Sequence, residues 1–185
     1  PFVMKGSYEV GEKYSIDIQS FDEKTIIKFN YALNNFKDDN ISVLNLKLSE
    51  MNLTNKVISE IEAITPVVVT IDNGPWSPNI HTIDMLMQQI YDNLEKKYRS
   101  FFKEEWNLRS DFHKYNLFEY ITILSEKPIA RKYKNVSLIG YKIRMNIGST
   151  EVAQKLAKTA IVLGLGEKNS VLGSGFVKYR EVGRK

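Results

Sequence analysis

From Ile83 to Phe101, apolar side chains at Leu86, Met87, Ile90, Leu94, Tyr98 and Phe101 recur at spacings of three and four, with Gln88, Asp92, Glu95 and Lys96 between them. That spacing describes a helix with one buried face, so the fold must supply a surface for it to cover. The flanking segments supply one. Val67, Val68, Val69 and Ile71, bounded by Asp72-Asn73-Gly74-Pro75, read as a short buried strand, and Phe118 to Leu124 and Val136 to Ile147 read as further strands. Ser149 or Thr150 caps a second helix that carries Val152, Leu156 and Ala160 inward, and Phe176 to Tyr179 form a last strand. The order β-α-β-β-α-β is the ferredoxin-like arrangement, a four-stranded antiparallel sheet with two helices on one face.

The first sixty residues read as another such unit without its opening strand and helix. Phe2 to Val10 and Lys13 to Gln19 alternate around Gly11 and Glu12 as a hairpin would. Asp22 caps a helix with Ile26, Ile27, Phe29, Leu33 and Phe36 at helical spacing, and Ile41 to Leu48 read as a half-buried strand. The expected fold class is therefore α+β, with tandem ferredoxin-like (RRM-like) units: residues 1–63 a partial first unit, incomplete at its amino end, and 64–185 a complete second one. The chain opens at Pro1 rather than a methionine, so the expectation is a fragment or processed form of a longer protein. A genuine small hairpin-helix extension is the alternative.

Cysteine is absent, which removes disulfides and thiolate metal sites and fits a reducing cytoplasm. The apolar runs, such as Val67 to Val69 and Ala160 to Leu163, are far shorter than the roughly 20 residues of a membrane span. The net charge of +4 hides an asymmetry. Residues 1–126 carry 13 Lys or Arg against 19 Asp or Glu, whereas residues 127–185 carry 13 against 3. A basic carboxyl third is the footprint of a face offered to a polyanion.

Four of the ten glycines fall between Gly164 and Gly175, in the run Gly164-Leu165-Gly166-Glu167-Lys168-Asn169-Ser170-Val171-Leu172-Gly173-Ser174-Gly175-Phe176. Paired glycines can turn successive N–H groups toward one point, and Lys168, Asn169 and Ser170 add a charge and neutral donors. The bland reading is a connection that only turns a helix back onto a sheet.

This segment resembles the glycine-rich signature of the CRISPR repeat-processing endoribonucleases of the RAMP superfamily: Gly-hydrophobic-Gly, a polar stretch with a basic residue, then Gly-x-Gly before a terminal strand. Thr65 to Val69, the run Asn93-Leu94-Glu95-Lys96-Lys97-Tyr98, Lys134 to Tyr141 and Gly11 to Ser20 resemble further parts of that family. The spacer of six residues between the glycine pairs and Ser174 between the last two depart from its usual pattern. The resemblance implies binding of CRISPR repeat RNA and metal-independent cleavage, in which the ribose 2′-hydroxyl attacks the adjacent phosphate; no cofactor is implied. It implies RNA contacts at Gly164, Gly166, Lys168, Asn169, Ser170, Gly173 and Gly175. A homodimer or further subunits of a guide-RNA complex are left open as partners.

No catalytic residue carries over, because many family members place a catalytic histidine in the part of the first unit that this sequence is expected to be without. His81, at the start of the long helix, reads as a cap or surface residue, and His113 lies in a polar connection. A two-metal nuclease would need converging carboxylates, and the acidic residues here show no ligand spacing. Arg131, Lys132, Lys134, Lys142, Arg144 and Lys178 read as RNA contacts, with Lys142 and Arg144 alternating outward along one strand. The rivals are a non-catalytic repeat-binding relative and a plain RNA recognition motif using Phe176 and Tyr179 for stacking. A nucleotide-binding phosphate loop is the third, and lacks its Gly-Lys-Ser/Thr.

Overall fold

The computed structural model describes residues 9–102 and 117–182. It divides into two compact units, residues 1–16 with 56–185, and residues 17–55.

The larger unit is built on a four-stranded antiparallel sheet. Its strands are β1 (Ile58–Ala63), β5 (Phe118–Ile123), β8 (Ile143–Ile147) and β9 (Val177–Glu181), in the order β5-β8-β1-β9. Helices α2 (Ile83–Phe102) and α3 (Glu151–Leu163) connect them, so the order along the chain is β-α-β-β-α-β, with the two earliest strands separated in space as the ferredoxin-like fold requires. Strand alternation sorts the side chains. Ile58, Ile61, Ala63, Ile143, Met145, Ile147 and Val177 are buried, as are Leu86, Met87, Ile90, Leu94 and Tyr98 of α2 and Ala153, Leu156, Ala157 and Ala160 of α3. The predicted stripe on α2 is therefore buried, except that Phe101 is exposed. Thr150 caps α3, accepting from the Ala153 amide at 3.2 Å.

The opening strand differs from expectation. It is Ile58–Ala63, on the amino side of residue 64, and its Glu60 and Glu62 conceal an alternation of buried Ile58, Ile61 and Ala63. The run expected to open the sheet forms instead β2 (Val67–Val68) and β3 (Thr70–Ile71), the latter in a hairpin with β4 (Gly74–Pro75). β2 joins a second sheet, with order β2-β7-β6, made with β6 (Ile129–Tyr133) and β7 (Val136–Tyr141). The run from Val136 to Ile147, read as one strand, is thus two: β7 and β8 part at Lys142 and serve different sheets. Close approach of backbones sets one position, since a Cβ on Gly140 would stand 2.5 Å from the Val67 carbonyl oxygen.

The smaller unit holds α1 (Glu23–Asn34), capped as predicted by Asp22, whose carboxylate accepts from the Lys24 amide at 3.2 Å and from the Thr25 hydroxyl at 2.5 Å. No residue of α1 is buried. The strand expected over Ile41 to Leu48 is not formed, and residues 9–19 contain a turn but no strand. The rest of the expected amino-terminal hairpin, residues 1–8, lies outside the described residues.

Candidate nucleic-acid interface

The glycine-rich run joins α3 to β9 as predicted, and contains one short helix, α4 (Asn169–Leu172). Gly164 ends α3 at φ 78°, its amide donating to the Ala160 carbonyl at 2.9 Å. The Glu167 amide then donates to the Val68 carbonyl at 2.8 Å, so the loop adds to the free edge of β2. Glu167 also accepts from the Thr70 amide at 3.1 Å and hydroxyl at 3.0 Å. On the return, the Gly175 amide donates to Pro66 at 2.9 Å, and the Leu165 amide to Gly175 at 2.8 Å. The Thr65 hydroxyl donates to the Gly173 carbonyl at 2.7 Å and accepts from the Phe176 amide at 2.8 Å.

Two side chains tie the inside of this loop together. The Asn169 amide nitrogen donates to the Leu165 and Ser174 carbonyls, both at 2.7 Å. Lys97, on α2, donates from one ammonium to the Gly164 and Gly166 carbonyls at 2.8 Å each and to Asn169 Oδ1 at 2.6 Å. Burial pushes the Lys97 pKa down to about 8, with the Glu167 carboxylate acting in the other direction. The sequence reading assigned Lys97 no role. Its signal was there in the run Asn93 to Tyr98, which carried part of the family resemblance.

The expected RNA contacts therefore separate. Gly164, Gly166 and Gly175 are buried and Gly173 is half-buried, while Asn169 uses its donors and acceptor inside the loop. Lys168, held in the left-handed region at φ 59°, and Ser170 are exposed. Among the described side chains of the loop, these two are the exposed ones.

The basic residues of the carboxyl third also fall into two groups. Arg144 and Lys178 lie on the helix-free face of the four-stranded sheet, with Glu60 and Glu62 of β1 between them. Arg144 donates to Glu62 at 2.6 Å and 3.0 Å, Lys178 pairs with Glu62 at 2.6 Å, and Arg180 pairs with Glu60 at 3.3 Å. Hydrogen bonds from Lys178 and then Arg144 hold the Glu62 carboxyl below its usual range. These cations are compensated by carboxylates from a strand that the sequence reading did not place here.

Arg131, Lys132 and Lys134 belong to the second sheet. Arg131 and Lys132 lie on β6, paired with Leu138 and Ser137 of β7, and Lys134 sits in the two-residue turn at φ 53°. Lys132 and Lys134 are exposed; Arg131 is half-buried, and burial lowers its pKa. Lys142 is half-buried where β7 passes into β8. Because Glu167 bridges to β2, the sheet runs β6, β7, β2 and then the glycine-rich loop. Three spacings of about 4.8 Å put the basic hairpin roughly 14 Å from the loop's edge.

His81 accepts at Nδ1 from the Ser77 amide at 3.1 Å, closing the turn before α2. His113 lies outside the described residues. Among the described residues, no three His, Asp or Glu side chains are grouped to hold a metal ion, and no helix is long and apolar enough to cross a membrane.

The larger unit is thus ferredoxin-like, with its second helix returned to its last strand through a pinned glycine-rich loop. The family model "CRISPR associated protein Cas6, C-terminal" matches residues 46–179, well over half of the chain, and the chain belongs to that family. Its fold is similar to solved structures described as "CRISPR associated protein Cas6" (23% identity, TM-score 0.59) and "An RAMP protein binding different RNA substrates" (18%, 0.58). A third is "Characterization of a Cas6-related gene from Pyrococcus furiosus" (21%, 0.57). The matches cover 88% of this chain and 66%, 67% and 65% of those chains respectively, so this chain spans about two thirds of their length. No curated protein matches the sequence significantly.

Proposed function

We propose that this protein binds CRISPR repeat RNA and processes precursor guide RNA by metal-independent attack of a ribose 2′-hydroxyl on the neighbouring phosphate. The observation that carries the binding half is the second sheet, which sets the cations of the β6–β7 hairpin and the exposed Lys168 at opposite edges of one framework. A single strand crossing it meets positive charge at both ends, and neutralising phosphates there releases counterions. Cleavage needs a base near the hydroxyl, an acid near the leaving oxygen and cations around the phosphorane. The exposure of Lys168 supports its reading as such a cation. His81 already uses Nδ1 to hold a turn, and this favours a repeat-binding relative that does not cut as the second reading.

The partial first ferredoxin-like unit read from the sequence over residues 1–63 is kept as a proposal, with the capped α1 as its helix. The absence of cysteine fits work in the cytoplasm. Incubating the protein with end-labelled repeat RNA and a chelator decides between the readings. Products ending in cyclic phosphate and 5′-hydroxyl are expected; binding without cleavage would leave the non-cutting reading, and absence of binding would refute both. Sizing the complex by light scattering in the same buffer reports whether a second copy joins it.

A further inference from the structure

Lys97 is a half-buried cation on α2, and its three hydrogen bonds all go to the glycine-rich loop. An ammonium has three N–H donors, and here each has an acceptor: the Gly164 carbonyl, the Gly166 carbonyl and Asn169 Oδ1. The third bond orients the Asn169 amide so that its nitrogen faces the Leu165 and Ser174 carbonyls. One lysine thus fixes both arms of the loop and its short helix from beneath. We propose that Lys97 is the positioning residue of the RNA-binding loop, locking its inner carbonyls so that Lys168 and Ser170 face outward, and adding a positive charge below the surface that meets phosphate.

The proposal rests on the loop being the phosphate-binding element. Its electrical part has a definite sign. In the free protein burial holds the Lys97 pKa at about 8. Glu167 is the charged group that acts on it; Asn93, Leu94, Ser100 and Phe101 on α2, the last turn of α3 and all of α4 carry no titratable side chain. Phosphates arriving above the loop favour the ammonium and raise that pKa, so binding takes up a proton. Affinity is then full below pH 8 and falls as pH rises through it, by roughly tenfold for each unit of upward shift.

The test uses the full chain, its Lys97→Met variant and a labelled RNA copy of a CRISPR repeat from the same genome. In amide NMR spectra of the free proteins, Lys97→Met should displace the signals of residues 164–175 while leaving those of β5 in place. Its RNA affinity should be lower than that of the parent at pH 7 and flat between pH 7 and 9, where the parent's falls. Unchanged loop signals in Lys97→Met, or the same pH dependence in both proteins, would overturn the proposal. Should Lys97→Met fail to fold, Glu167→Gln decides: removing the carboxylate lowers the Lys97 pKa, so the fall in affinity must move to lower pH, and an unmoved fall overturns it. A parent protein that binds no RNA at any pH would instead sink the RNA reading, and the loop signals would still judge whether Lys97 positions the loop.

Discussion

Gly175 and Ser174 are neighbours whose substitution by alanine should act in opposite directions. Gly175 sits at φ 65°, and a Cβ there would run into the Leu165 carbonyl oxygen. That oxygen belongs to backbone, which has no rotamer with which to yield. Gly175→Ala should therefore cost about 3 kcal/mol or more, measured as a lower midpoint of urea unfolding. Ser174 is buried with its hydroxyl lacking a hydrogen-bond partner. Ser174→Ala removes that stranded group and should raise stability by about 1 kcal/mol by the same measurement. A serine at this place is also the point where the loop departs from the hydrophobic residue usual in the family it resembles, so the stability gain would identify the departure as a local packing cost.

The two sheets make different predictions for residues of the same charge. On the hairpin of β6 and β7, Lys132→Ala with Lys134→Ala should lower the salt dependence of RNA binding by roughly 0.7 log units per lost single-strand contact. On the four-stranded sheet, Lys178→Ala with Arg180→Ala should leave that slope unchanged, because these cations already face Glu62 and Glu60. An equal drop in slope for both pairs would show that RNA displaces the carboxylate network. The network has its own pH signature. The Glu62 carboxyl is held below the ordinary glutamate pKa of 4.5 by its hydrogen bonds from Lys178 and Arg144, so its contribution to stability is present above that value and is lost as pH falls through the folded-state pKa. Melting curves of Glu62→Gln should accordingly lose less stability on acidification below pH 4.5 than those of the parent.

Across the whole chain, order should be unequally distributed. Helix α2 buries Leu86, Met87, Ile90, Tyr91, Leu94 and Tyr98, whereas α1 buries nothing. An amphipathic helix without a buried face is marginal in water at 12 residues. Hydrogen exchange should therefore find the α1 amides at least roughly a hundredfold less protected than those at the centre of α2, and equal protection would count against it. The elements legible in the sequence were the ones with strong local signals: the stripe on α2, the caps Asp22 and Thr150, and the glycine run between α3 and β9. β1 was missed because Glu60 and Glu62 break its apolar character, and β6 because Arg131 and Lys132 interrupt it.

What the sequence determined by itself was the class of fold, the placement of the glycine-rich loop and the basic carboxyl third, since periodicity, capping and charge are properties of short stretches. Which strand pairs with which was decided only in three dimensions. Val67 and Val68 could have served either sheet on local grounds, and the hydrogen bonds to Tyr141 and Gly140 on one edge and Glu167 on the other settle them in the second. The same holds for charge: Arg144 and Lys178 look like Lys132 in sequence, but carboxylates from a strand more than eighty residues away in sequence from Arg144 compensate them. Lys97 is the clearest case: the run Asn93 to Tyr98 marks the lysine in the sequence, but its three acceptors come from a loop about seventy residues along the chain, and only the packing of α2 beneath that loop shows which groups it meets.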